Sequence, residues 1–250
     1  MKGIPPAGPP RVLALAYLAG SIGDGAYYVT SALYFTRIVG LSPGQIGFGL
    51  TAGWAVGSVV AVPLGQLADR RGPRGVAVPL AVATAVSLLA FLLVHSFVPF
   101  VLTACLYGSC QSGLAATRQA LLAGLVGPSE RTKLRAYLQS TVNAGLGLGA
   151  ALGGVALSLG TRPAYLTVFA LDALSFLASA AVLMRLPAPA PVPAPAAGPS
   201  SSVLRDRPYA LVTLINTFML LYMPLLSLVL PLWIVRRTAA PAWTVSPCSY

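Results

Sequence analysis

Seven stretches of this chain are each long and apolar enough to cross a lipid bilayer: about 12–35, 46–67, 75–95, 98–120, 136–158, 163–184 and 208–234. A helix needs about 20 mostly apolar residues to span the hydrocarbon core. Backbone groups in lipid must pair within the segment, so these stretches predict helices and not strands. Turn chemistry separates them at Ser42-Pro43-Gly44, Arg71-Gly72-Pro73, Gly127-Pro128-Ser129 and Gly160-Thr161-Arg162-Pro163. Charged residues make up 8% of the chain and the mean hydropathy is +0.80. A soluble domain carries about 25% charged residues. This chain could not cover a globule with polar groups, so its solvent is lipid.

Sixteen Lys and Arg against five acidic residues give a formal charge of +11. The positive charges sit in short loops between apolar runs, not on a basic face with interleaved aromatics, which excludes a nucleic-acid partner. The positive-inside rule accounts for them. With the N-terminus in the cytoplasm, Lys2, Arg11, Arg70, Arg71, Arg74, Arg131, Lys133, Arg135, Arg185, Arg205 and Arg207 lie inside. Arg37, Arg162, Arg236 and Arg237 lie outside, and Arg118 sits near the inner end of the fourth span. The start has the charge and apolarity of a secretory leader. Its apolar run, however, continues past Asp24 to about Val39 without a small-residue cleavage site, which predicts a retained first helix. Cys105, Cys110 and Cys248 have neither metal-ligand spacing nor a disulfide framework, so no metal and no cofactor is expected.

Residues 186–202 read LPAPAPVPAPAAGPSSS. Alternating Pro and Ala favour an extended chain, and the Ser run adds flexibility. Three regions follow: a six-helix bundle over 1–185, a cytoplasmic linker over 186–207, and a seventh span with a short tail over 208–250. The bundle carries traces of an internal repeat. Leu18, Gly20, Ser21 and Gly25 recur as Leu106, Gly108, Ser109 and Gly113; Ala85, Ser87, Leu89 and Ala90 recur as Ala173, Ser175, Leu177 and Ala178; both pairs are offset by 88. Gly49, Gly53 and Gly57 in the second span recur as Gly145, Gly149 and Gly153 in the fifth, offset by 96. Small residues four apart let helix backbones approach closely, which is how helices associate in lipid.

Between the second and third spans lies GQLADRRGPRG, residues 65–75. Gly65, Leu67, Ala68, Asp69, Arg70, Gly72 and Arg74 match the pattern G-x-L-A-D-R-x-G-x-[RK]. In this the chain resembles the major facilitator superfamily over residues 11 to about 240. The resemblance implies an all-α membrane fold with a six-helix bundle of 3+3 inverted repeats. It also implies a cytoplasmic gate in which Asp69 and the nearby arginines latch against a helix of a second bundle. The chain has one helix in place of that bundle, so the expected protein is a truncated transporter that needs a C-terminal half. GAALGG, residues 149–154, is similar to the antiporter signature G-P-x-x-G-G with Ala150 in the proline position, which implies efflux. Drug exporters of the family carry an arginine before a Q-G pair in the fourth span. Here Gln111 is present, Gly108 falls near the arginine's place, and Arg118 lies about ten residues beyond, so that role is not carried over to Arg118.

Two carboxylates fall near the middle of spans, Asp24 in the first and Asp172 in the sixth. An ionised side chain there costs at least about 2.5–3.5 kcal/mol, so it faces a cavity or a partner. A carboxyl that takes a proton on one side and releases it on the other is what a proton-coupled antiporter needs. Asp24 is the first candidate and Asp172 the second; each could instead be a carboxyl hydrogen-bonded to a neighbouring helix. Tyr17, Tyr27, Tyr28, Tyr34 and Trp54 could line a cavity for amphipathic molecules or pack as core and interfacial aromatics. Gln111 and Asn143 are buried polar residues open to the same two readings, and His95 is interfacial.

Enzyme readings fail on missing parts. Residues 208–234 hold no lysine for a Schiff base. The lone His95 sits at the wrong depth to partner a nucleophile, and no G-x-x-x-x-G-K-[ST] binds phosphate. The expectation is a bacterial plasma-membrane transporter of small organic molecules, driven by protons and exporting. The alternative is a non-transporting membrane protein, either decayed or dependent on a partner.

Overall fold

The computed structural model describes residues 8–186 together with Leu211, Val212, Leu214 and Ile215. Six helices run through it: α1 (Pro9–Arg37), α2 (Pro43–Arg71), α3 (Pro73–Phe91), α4 (Phe97–Leu125), α5 (Pro128–Leu159) and α6 (Arg162–Leu183). Each is long and apolar enough to cross a membrane. Beyond Leu186 the linker 186–207, and the predicted seventh span apart from those four residues, lie outside the described residues.

Local chemistry sets the boundaries. Ser42 opens α2 with a capping box: its hydroxyl accepts from the Gln45 amide at 3.3 Å while the Gln45 side chain accepts from the Ser42 amide at 2.9 Å. Proline occupies the first turn of α1, α2, α3, α5 and α6, where its missing N–H is not needed. Gly72 alone joins α2 to α3, at φ 86, a left-handed conformation that a side chain resists. The fifth helix begins at Pro128 rather than near residue 136. Glu130 in its first turn suits the positive end of the helix dipole, and the helix carries Arg131, Lys133 and Arg135 before it enters its apolar stretch.

The helices pack in the order α5, α1, α6, α3, α4, α2, with lesser contact between α2 and α3; the backbones of α1 and α4 stay apart while their side chains meet. Glycines set the two outer joints. Gly53 and Gly57 of α2 lie on the backbone of Ala104 and Gly108 in α4. Gly149 of α5 lies on the Ile22 carbonyl in α1, and Gly25 of α1 on the Leu146 carbonyl in α5. A methyl group at any of these would strike main chain. The two joints repeat one register, Gly53 on Ala104 and Gly57 on Gly108 paralleling Gly149 on Ile22 and Gly153 on Ala26, but with Ala104 and Ile22 82 residues apart and not the 88 of the letter repeat. An aromatic core of Tyr27, Phe35, Phe91, Phe100, Tyr107 and Phe169 fills the centre, with Tyr34 stacked at its edge on Phe169.

Candidate functional site

Helices α1, α4 and α6 supply the charged and amide side chains inside the bundle, while α3 adds Thr84 and Ser87, whose hydroxyls donate to carbonyls of their own helix. On α4, Tyr107, Gln111 and Arg118 stand four and then seven residues apart, which places them on one face. On α1, Tyr17 and Asp24 are seven apart, as are Asp172 and Ser179 on α6. The spacing sorts these groups into two layers, separated along the helix axes by about 10 Å.

The first layer centres on Asp24. Gln111 Nε2 donates to Asp24 Oδ1 at 2.9 Å, and the Tyr107 hydroxyl donates to the same oxygen at 3.4 Å. Gln111 Nε2 also donates to the Tyr107 hydroxyl at 3.0 Å, closing a triangle across α1 and α4. Asp24 keeps partial exposure, and Tyr28, one turn on, is 51% exposed. Asp172 lies at the same level on the other flank of α1. Its side chain is fully buried against Gly23, its Oδ1 lies 3.4 Å from the Ser175 hydroxyl, and its Oδ2 has no partner among the described residues.

The second layer centres on Arg118. Its Nη2 donates to Ser179 Oγ at 3.1 Å, and the Ser179 hydroxyl donates to the Ala16 carbonyl at 2.9 Å. The guanidinium carbon stands 5.0 Å from the centroid of the Tyr17 ring, a cation–π distance.

The loop signature lies at the α2–α3 turn. Asp69, Arg70 and Arg71 are exposed, Gly65 is half-buried, and Gly72 is the turn itself. Arg74 Nη2 donates to the Met184 carbonyl, tying the start of α3 to the end of α6.

From residue 13 to 247 the chain matches the profile of the Major Facilitator Superfamily. It belongs to that family. No curated protein matches it. Major facilitators are multi-pass membrane proteins that transport small molecules and are not enzymes, and so is this chain.

In this major facilitator the structure brings Asp24 and Gln111 together and leaves Tyr28 beside them on the surface of the six-helix unit. Tyr27 and Tyr34 belong to the aromatic core. Asn143 is a correction: expected to be buried, it is exposed on α5 and accepts from Gln139 Nε2 at 3.1 Å, because the α5 face that meets α1 is the glycine face. Trp54 and His95 are exposed. The sequence reading passed over Tyr107 and gave Arg118 no role. The signal for both was their position on the Gln111 face of α4.

Proposed function

We propose that this major facilitator is a proton-coupled exporter of small organic molecules, with Asp24 as the residue that takes and releases the proton. The observation that carries the reading is the Asp24 carboxylate on the seam between α1 and α4. It is held by Gln111 and Tyr107 yet partly open, where a second bundle and the cargo would meet it. A carboxylate with donors on one side and an opening on the other can exchange a proton and compete for cargo. Tyr28 lies on the cargo side. In alternating access, one six-helix bundle rocks against another around a site between them. The six helices described here form one wall of that site.

The proposed 3+3 inverted repeat is supported by the packing order, which is unchanged when the first three helices are exchanged with the last three. In the gate loop Asp69, Arg70 and Arg74, with Gly72 as the turn and Gly65 about two helical turns before it in α2, face the cytoplasm and meet the other bundle in one state of the cycle. A cytoplasmic N-terminus, in a bacterial plasma membrane, is supported by the basic residues Arg11, Arg70, Arg71, Arg74 and Arg185 at the helix ends that this loop shares.

The test is proton flux in proteoliposomes that contain the full chain and a trapped pH dye, challenged with a panel of organic cations, neutral compounds and anions. At least one compound should drive proton movement that is absent from Asp24→Asn liposomes. Flux that persists in Asp24→Asn, or no flux with any compound, overturns the reading.

A further inference from the structure

Arg118 is a cation inside the membrane part of the protein with no carboxylate bonded to it. The described residues include four acids. Asp69 and Glu130 lie at helix ends, Asp172 lies a layer away beside Gly23, and Asp24 is already taken by Gln111 and Tyr107. A guanidinium has five N–H donors in a planar fork. Here one hydrogen bond is made, from Nη2 to Ser179, and Nε is buried without a partner among the described residues. Arg118 remains partly exposed, as does Tyr17 beside it.

A charge retained at this depth needs a counter-charge in some state of the protein. Ser179 is neutral, and its hydroxyl hydrogen is spent on Ala16. Of its three nitrogens, Nη1 alone is neither bonded to a described residue nor sealed like Nε, and it suits an oxygen of a carboxylate or phosphate, which Arg holds by a charge-assisted hydrogen bond.

We propose that Arg118 binds an anionic group, a carboxylate or phosphate, on the cargo, with the Tyr17 ring beside it. This rests on the transporter reading above and makes the cargo an organic anion.

The test is calorimetric titration of the purified full chain, in phosphatidylcholine nanodiscs, with salicylate, phenyl phosphate and, for contrast, tetraphenylphosphonium. One or both anions should bind, and Arg118→Gln should weaken that binding by at least about 10-fold. Arg118→Gln is checked for a monodisperse elution profile and wild-type helicity. A second measurement needs no variant. Phenylglyoxal modifies accessible guanidinium groups, and saturating salicylate or phenyl phosphate should slow modification of Arg118 in the wild-type chain several-fold, as read by peptide mass spectrometry. Tetraphenylphosphonium binding without anion binding, equal anion affinity in Arg118→Gln, or unprotected Arg118 overturns the proposal. So does stabilisation that appears only with phosphatidylglycerol nanodiscs and is lost in Arg118→Gln, since the site would then hold a lipid headgroup. Because titration needs no gradient, anion binding with Arg118 protection but no proton flux upholds the anion site and overturns coupled transport. Flux of cations alone does the reverse.

Discussion

Gln111 makes the two shorter bonds of its triangle with Asp24 and Tyr107: the same amide nitrogen donates to the Asp24 carboxylate at 2.9 Å and to the Tyr107 hydroxyl at 3.0 Å. The Tyr107 bond to Asp24 is longer, at 3.4 Å. Polar bonds between membrane helices contribute about 0.6–2 kcal/mol each. Gln111→Ala should therefore lower the stability of the full chain in detergent by about 1–2 kcal/mol, and Tyr107→Phe by less. Thermal unfolding ranks them, and a Tyr107→Phe protein less stable than Gln111→Ala would contradict the geometry.

Two glycines of α5, two residues apart, should behave oppositely. A methyl group at Gly149 strikes the Ile22 carbonyl, whereas at Gly147 it meets open space. Gly149→Ala should separate α5 from α1 and cost roughly 2 kcal/mol or more, in the range of overpacked cores. Gly147→Ala should be neutral or stabilising by up to about 1 kcal/mol, from helix propensity alone. The folded fraction recovered in mild detergent reads both, and equal recovery would remove the claim of backbone contact.

Gly23 makes a sharper case. Its added methyl would meet the Asp172 carboxyl and also the Asp172 Cα at 2.8 Å. Trimming the side chain should therefore not rescue it: Gly23→Ala with Asp172→Ala should remain as unstable as Gly23→Ala alone. Recovery of the wild-type melting temperature in the double variant would show that the carboxyl, and not the backbone, sets the spacing of α1 and α6.

Ser179 joins two helices to a third by accepting from Arg118 and donating to the Ala16 carbonyl. Ser179→Ala removes both bonds and frees the guanidinium. The expected result is faster phenylglyoxal modification of Arg118, by several-fold, with a stability loss of about 1 kcal/mol. Unchanged reactivity would mean that Ser179 does not hold Arg118.

The six described spans were legible because lipid leaves only one way to satisfy the backbone, and apolar length reports it directly. Asp24 and Gln111 were legible because a polar residue at membrane depth stands out. Tyr107 was not, since an aromatic in a span reads as packing until a partner is placed beside it. Asp172 was read as a second coupling candidate, yet it lies sealed against Gly23, and only the approach of α6 to α1 decides that. The glycine ladders announced close contact, but their partners depend on how the helices slide along one another. The letters of α1 and α4 recur at an offset of 88, whereas the glycine partners Ile22 and Ala104 are offset by 82.

The glycine joints carry a mechanical consequence. Where Gly149 rests on Ile22 and Gly53 on Ala104, main chain bears on main chain, and neither joint can shear without a collision. The pairs α1–α5 and α2–α4 are therefore stiff staves. Between α1 and α4 the backbones stay apart and side chains alone meet: the triangle of Asp24, Gln111 and Tyr107, the ring pairs Tyr27–Tyr107 and Phe35–Phe100, and Arg118 over Tyr17. Protonation of Asp24 would therefore act at a seam held by side chains and not by main chain.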